Sequence, residues 1–206
     1  LHTILTKAAV ACAAGLDVPL CKVCRYRVAQ NDLIIEAGHG WQPNIIGTSV
    51  ARADGSSPGG HAFVSKQPII CDDLSKTDYV LSPVYGQHSI VSTVNVPISG
   101  TNGEVPFGIL EIDSDQIRHF DQHDVDFLTG FANVLAEAVG THQRLAHMAR
   151  LLDEKDVLSR ELQHRVRNNL HLIQNMLLME AESADGNRDG FRDIANRVQA
   201  LSVVYD

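Results

Sequence analysis

A short segment in the last third of the chain combines a nucleophile with basic and amide side chains. His164 is followed by Arg165 and Arg167, and Asn168 and His171 come four and seven residues after it. Residues at these spacings share one side of an α-helix, so the histidines and the asparagine form a polar row. A neutral imidazole can attack phosphorus, and a guanidinium can bind phosphate. The segment therefore places a nucleophile beside groups that can bind phosphate, although an isolated surface histidine is usually only part of a solvated helix face.

The apolar residues around His164 predict a helix whose solvent-facing side carries the imidazole. At about 100° per residue, they fall within roughly 120° of one another, and His164 points roughly 170° away from their centre. The imidazole is therefore expected to be accessible to a reacting molecule from solvent. The apolar positions are Leu158, Leu162, Val166, Leu170, Ile173 and Leu177.

The chain that must position this segment changes character near residue 120. Before that point, short apolar runs alternate with Gly, Pro, Asn and Asp, which predicts an α+β domain around one mostly antiparallel sheet. An Ala-rich helix is predicted over residues 4–16. Strands are predicted over 21–28, 33–37, 68–71, 92–98 and 107–113.

After residue 120 the pattern is helical. Asp121 and Asp124 have the spacing of a capping box at a helix start. Apolar residues at steps of three and four then predict one long helix, or two joined around Gly140. A turn is expected at 183–187, followed by a second stripe at Phe191, Ile194, Val198, Leu201 and Tyr205.

So long a helix cannot bury its apolar stripe against the small sheet domain alone. The helical hairpin of residues 158–206 provides two helices, and a second copy related by a two-fold axis would complete a four-helix bundle. The periodicity therefore predicts a homodimer.

The composition bounds the class of protein. The 206 residues are 44% hydrophobic and carry a net charge of −8, from 17 Lys and Arg against 25 Asp and Glu. This acidic excess disfavours nucleic acid as a partner. No apolar run reaches the ~18 residues of a membrane span, no secretory signal is recognisable, and four cysteines are too few for a disulfide scaffold. We expect a cytoplasmic protein without a membrane span.

The string from His164 to Leu170 resembles the phosphoacceptor motif of sensor histidine kinases, in the branch of the HWE-type kinases and their relatives. In that branch the histidine is followed by Arg, any residue, Lys or Arg, and usually Asn-Asn-Leu. The resemblance continues through Leu177 and over residues 196–201. It implies ATP-dependent autophosphorylation on His164, with Mg and ATP as phosphodonor through a catalytic domain expected beyond residue 206. It also implies transfer to an aspartate of a receiver-domain response regulator.

The resemblance also suggests supporting roles for the residues around His164, most of which have a simpler alternative explanation. More familiar histidine kinases carry an acid after the histidine, but Arg165 stands there, so Glu161 is a weak candidate for the base and is more commonly a solubilising charge. Arg165 and Arg167 could hold transferred phosphate, or simply be solvated or paired between helices. Asn168 resembles polar residues that position water for phosphatase activity.

Two strings in the first part resemble a GAF domain. Residues 92–98 and 107–113, with a glycine-containing turn between them, resemble its central hairpin, and residues 120–128 resemble the entry to its last helix. The resemblance implies a small-molecule pocket on one sheet face, roofed by loops within 41–62 and 72–91. It leaves the ligand unspecified.

Several residues near the expected pocket are of types that can bind ligands. Cys21 and Cys24 would point to opposite faces of a strand, which favours one core and one surface thiol over a zinc or dithiol site. Cys71 could carry a bilin but is more simply a buried thiol. Residues 54–60 are predicted to be a flexible loop and not a phosphate cradle. Trp41 either lines the pocket or packs beneath a loop. No metal site is predicted.

The sequence therefore predicts a GAF sensor over 1–140, a signalling-helix linker over 141–157, and a dimerisation and histidine phosphotransfer hairpin over 158–206. Ligand or redox input would change how His164 is presented to a kinase domain. Two alternatives stay open: a GAF ligand-binding module dimerised by a coiled coil, and a phosphotransfer or phosphatase protein without its own kinase domain.

Overall fold

The computed structural model describes residues 1–99, 105–183 and 188–203. The chain divides into two compact units, Leu1–Arg144 and Leu145–Asp206. The first unit is an α+β domain, and the second is helical in its described part.

The first unit is built on one six-stranded antiparallel sheet of order β3-β2-β1-β6-β5-β4. Strands β1 and β6 form its centre, paired from Leu20 opposite Asp113 to Arg25 opposite Gly108. The strands are β1 (Leu20–Arg27), β2 (Asp32–His39), β3 (Ser49–Arg52), β4 (Ile69–Cys71), β5 (Ser92–Ile98) and β6 (Gly108–Ser114).

Both faces of this sheet are covered, so its central strands are apolar on both sides. Cys21 and Val23 of β1 pack in one core with Leu5 and Leu128 from the helices on that face. Cys24 packs in a second core on the other face. The helices are α1 (His2–Gly15), α2 (Pro58–Ser65), α3 (Pro83–Gln87), α4 (Gln122–Ser183) and α5 (Arg188–Val203), with single 3-10 turns at Pro43–Ile45 and Leu74–Lys76.

A capping box begins helix α4, as the sequence predicts. The Asp121 Oδ1 atom accepts hydrogen bonds from the backbone N–H groups of His123 and Asp124, at 2.8 and 3.0 Å. In return the Asp121 N–H donates to Asp124 Oδ2 at 3.1 Å. The helix is continuous through Gly140, so the prediction of one long helix is the correct alternative.

The segment between β6 and α4 is tied to the end of β4. The Ser92 hydroxyl lies within hydrogen-bond distance of the carbonyl oxygens of Asp72 and Gln116, and it accepts from the Arg118 N–H at 2.9 Å. The Asp72 carboxylate accepts from the Phe120 N–H at 3.2 Å. The chain entering α4 is therefore fixed to the loop that follows β4.

Two sequence predictions are wrong. Residues 54–60 are not a loop throughout, because α2 begins at Pro58 and the Ser57 hydroxyl accepts from the Gly60 N–H. Cys24 is not a surface thiol, since the second core covers it as fully as the first covers Cys21. Their predicted placement on opposite faces is correct.

Strand β3 is a further element that the sequence analysis did not predict. The predicted α1 and the other strands agree with the structure within three residues. The predicted turn at 183–187 falls, after its first residue, outside the described residues, and so does Tyr205 of the second stripe.

Candidate functional site

His164 lies exposed on helix α4, inside the second unit. The Asn168 Nδ2 atom, one turn later, is 3.3 Å from His164 Nδ1. With the amide placed this way, Nδ1 accepts and the ring proton belongs on Nε2. Turning the amide by 180° would present Oδ1 to a proton on Nδ1 and leave the Nε2 lone pair free for attack. One asparagine can thus select either tautomer of His164.

Glu161 and Arg165 form an ion pair beside the imidazole. The Arg165 Nε atom donates to Glu161 Oε1 at 2.7 Å. This hydrogen bond, followed by the charges of Arg165 and His164, lowers the pKa of the Glu161 carboxyl. A carboxylate with a lowered pKa is a weaker base, and Arg165 must exchange this partner before it can hold phosphate.

The hairpin leaves the His164 row open. The Gln174 side chain donates to Gln199 of α5 at 2.9 Å, and Ala195 of α5 is fully buried. The half-buried side chains of this part of α4 lie on one side of the helix, at Val166, Arg167, Leu170, Gln174 and Leu177. At about 100° per residue, the centre of this group is roughly 110° away from His164.

A second apolar group on α4 has no contact that covers it within the described chain. Leu158 is 64% exposed and Leu162 is 63% exposed, and Ile173 on the same side is 45% exposed. Every side chain from 141 to 165 is likewise exposed. The predicted apolar stripe is therefore split into a half that faces α5 and a half that faces solvent.

The sheet of the first unit contains a buried charged cluster that the sequence analysis missed. The Lys22 Nζ atom is 2.7 Å from Glu111 Oε1 and 2.7 Å from Asp113 Oδ2. It also lies 4.4 Å from the ring centroid of Trp41 and 4.9 Å from that of Tyr85. The signal was present in the sequence as a lysine and two acids inside otherwise apolar strands, which are rarely buried unless paired.

The cluster changes the acidity of its members. Burial, followed by the charge of Glu111, raises the pKa of the Asp113 carboxyl well above its usual range. Burial opposes the charged form of Lys22, but the attraction of Asp113 and Glu111 outweighs it, so the pKa of the ammonium is raised. Burial and the Glu111 charge also raise the pKa of the Tyr85 hydroxyl, which donates to Glu111 Oε1.

The cysteines that were candidate ligands, and the histidines of the same domain, have other partners or are buried. All four cysteines are free and buried. Burial, more than the nearby acids, raises the pKa of Cys71 to about 11, which disfavours the reactive thiolate. His61 contacts the Tyr79 hydroxyl at 2.6 Å, and His88 packs against Trp41. Across the described ranges, no group of three or more potential ligands is placed to hold a metal ion.

A helix that spans a bilayer needs about 20 predominantly apolar residues. Within the part of the chain that the structure describes, none of the helices combines the length and apolar character of a membrane span.

Comparison with known families gives two matches along the chain. The GAF domain matches residues 2–139, and the histidine kinase family matches residues 161–206. The chain belongs to the GAF domain family, and in it a histidine kinase domain follows the GAF domain. The sequence-based recognition of both domains and of the α+β fold is confirmed.

Solved structures support the fold of the first unit. The GAF domain of a phosphoenolpyruvate-protein phosphotransferase from Coxiella burnetii is 18% identical, with a TM-score of 0.63 over 71% of this chain and 86% of that one. A GAF domain region of a putative membrane protein from Geobacter sulfurreducens is 23% identical, with a TM-score of 0.56 over 68% and 93%. Free methionine-R-sulfoxide reductase from Neisseria meningitidis, solved with its substrate, is 15% identical, with a TM-score of 0.59 over 70% and 80%. A comparison with curated proteins finds no match.

Proposed function

We propose that this chain is the input and phosphoacceptor part of a two-component sensor histidine kinase. The observation that carries the proposal is an exposed His164, on a match to the histidine kinase family, with the Asn168 amide at its Nδ1 atom. An imidazole in this setting is open to a phosphodonor from one side and held by a neighbour on the other.

The proposed reaction is a single phosphoryl transfer from ATP to His164. The Nε2 lone pair attacks the γ-phosphorus of ATP, the bond to the bridging oxygen of ADP breaks, and the ring proton leaves from Nδ1 to a base, either solvent or Glu161. A catalytic domain outside the described chain supplies the bound ATP and Mg²⁺, which neutralises charge on the phosphates. The phosphoryl group then passes to an aspartate of a receiver-domain response regulator.

The proposed roles of the neighbours follow from their contacts. With its amide turned so that Oδ1 faces a proton on Nδ1, Asn168 holds the ring in the tautomer that frees Nε2. Arg165 leaves Glu161 to bind the transferred phosphate, and Arg167, half-buried on the flank, contributes a second guanidinium. Glu161 is retained as the candidate base, although its pairing with Arg165 makes it a weak one.

We propose a homodimer as the working unit. Burying a leucine side chain stabilises a protein by about 1.5 to 3 kcal/mol. The solvent-facing leucines of α4 therefore favour association with a partner that covers them. A second copy packed against Leu158 and Leu162 would cover them and leave the His164 row accessible. The four cysteines are buried free thiols, which are typical of a reducing compartment. We therefore propose that the protein acts in the cytoplasm.

The experiment is labelling of the full-length protein with γ-labelled ATP. We expect an acid-labile, base-stable label that His164→Ala abolishes. The matched control is His171→Ala, because His171 is exposed on the same row of the same helix. Label that persists in His164→Ala would contradict the proposal and favour a GAF module with a purely structural coiled coil.

A phosphotransfer or phosphatase protein without its own kinase is the second candidate. It is favoured by the Asn168 amide, which could hold a water near a phosphorylated imidazole. In that case ATP alone gives no label, whereas a phosphorylated response regulator labels His164 or loses its phosphate.

A further inference from the structure

The Lys22 cluster has the chemistry of an ammonium cage. Two carboxyl groups each accept from Nζ at 2.7 Å, and two aromatic faces lie within 5 Å of it. Cations bind to carboxylates through charge-assisted hydrogen bonds and to Trp and Tyr faces through the ring quadrupole. The Lys22 side chain therefore shows that this part of the sheet accommodates an ammonium group.

The cage has more acceptors than its own donors satisfy. Asn95 Oδ1 and Asp113 Oδ1 are both buried and have no hydrogen-bond partner. Asn95 pairs with Glu111 across β5 and β6, and Thr93 pairs with Asp113, so the two residues that carry the unsatisfied oxygens are diagonal neighbours on one sheet face. A buried acceptor without a donor costs free energy that a ligand N–H would recover.

The balance of charges in the cage also favours a cationic ligand. One ammonium, Lys22, faces two carboxyl groups, Glu111 and Asp113. One proton shared by the two carboxyl groups would offset the missing positive charge, and the raised pKa of Asp113 favours such a proton. An entering anion would meet the acids and the unpaired oxygens, whereas an entering cation would complete two pairs of opposite charge.

Trp41 is the wall through which a ligand could enter. It is half-buried, lies outside any helix or strand, and is held by one hydrogen bond from Nε1 to the Cys21 carbonyl oxygen at 3.0 Å. Its ring edge rests against His88 of the loop after α3. Trp41 is also the less covered of the two aromatic walls, because Tyr85 is buried.

We propose that this cage is the ligand site of the sensor domain and that its ligand is a small primary amine, bound as an ammonium ion beside Lys22. The ligand donates to Asn95 Oδ1 and Asp113 Oδ1 and displaces the proton held by the two carboxyl groups. The proposal rests on the sensor role proposed above, because only in a sensor does occupancy of this site carry a signal.

The test uses methylammonium chloride on the 206-residue chain. Trp41 is the only tryptophan, so its fluorescence reports the cage directly. We expect a saturable fluorescence change with methylammonium, and calorimetry in buffers of different ionisation enthalpy should show proton release. Methanol, sodium acetate and potassium chloride control for size, the opposite charge and ionic strength. No saturable response to methylammonium, or an equal response to methanol or acetate, overturns the proposal.

Two variants locate the site. Asn95→Leu removes one unsatisfied acceptor at similar volume, and Asp113→Asn removes one charge; each should weaken methylammonium binding by about thirtyfold or more. Asp115→Asn, on an exposed residue after β6, is the matched control and should bind as the wild type does. Thermal melts show which variants fold. Unchanged binding in a folded Asn95→Leu chain contradicts the assigned site, and the wild-type titration decides the ligand class even where a variant does not fold.

The labelling of His164 separates this proposal from the proposed function. If His164 is labelled and methylammonium does not bind, the ligand class is wrong while the kinase role stands. If methylammonium binds and His164 is not labelled, the cage is correct and the kinase role is wrong.

Discussion

At the scale of single residues, two polar contacts decide what the chemistry can be. One is the approach of the Asn168 amide to His164, at 3.3 Å, and the other is the shared hold of Glu111 and Asp113 on Lys22. The first is local in sequence, and helix periodicity predicted the shared face. The second joins Lys22 to residues that lie 89 and 91 positions later in the chain. Only the strand register brings them together.

Asn168 should control the tautomer of His164. Asn168→Ala removes the hydrogen bond from Nδ1 to the turned amide, worth about 1 kcal/mol, so we expect autophosphorylation of the full-length protein to slow about fivefold. Asn168→Asp should keep the wild-type rate or exceed it, because a carboxylate only accepts and therefore fixes the proton on Nδ1. Nitrogen NMR of the ring gives the tautomer; equal rates and equal tautomers in both variants would contradict this role.

Lys22→Met should destabilise the first unit by about 3 to 5 kcal/mol, because it leaves two buried carboxyl groups without their cation. The loss should be smaller at acid pH. The pKa of Asp113 in the folded chain is raised above its ordinary value of 3.8. Between 3.8 and the folded pKa, the unfolded chain has lost this proton while the folded chain still holds it, so the free energy of unfolding falls as pH rises. Denaturant unfolding from pH 4 to 8 measures the effect. Lys7→Met, on an exposed lysine of α1, is the control and should change little.

At the scale of elements, the comparison of sequence and structure separates two kinds of signal. Helix α4 was predictable because Asp121 and Asp124 cap it and its apolar residues repeat at three and four. Strand β3 was missed because Val50 is its only strong strand-forming residue, whereas the equally short β4 is a continuous apolar run. Helix α2 was missed because Pro58, Gly59 and Gly60 are typical of loops, although Pro at a first helical position and the Ser57 cap form a legitimate helix start.

The start of α2 depends on the small size of Gly60. A Cβ atom there would lie 2.3 Å from the carbonyl oxygens of Arg52 and Asp54, which belong to the backbone and cannot simply rotate away. Gly60→Ala should therefore lower the free energy of unfolding by about 2 kcal/mol or more. Gly55→Ala, with nothing within 4 Å of its Cβ, is the control in the same segment. Equal melting temperatures for the two variants would contradict this account.

At the scale of the whole molecule, the apolar half-stripe of α4 is the clearest reason to expect a second copy. We expect light scattering to give a dimer for the 206-residue chain at micromolar concentration. Leu162→Glu should shift it toward monomer, because the dimer would bury the new charge without a partner. His171→Glu adds the same side chain on the polar row and should stay dimeric. A wild-type monomer would contradict the proposed bundle.

The tie between β4 and the start of α4 has a consequence for local opening. Phe120 donates its amide hydrogen to Asp72, and Ser92 joins Asp72, Gln116 and Arg118. These amides can exchange with solvent deuterium only when the loop after β4 loosens. The first turn of α4 and that loop should therefore exchange as one cooperative unit, and Ser92→Ala should speed exchange at Arg118 and Phe120 together.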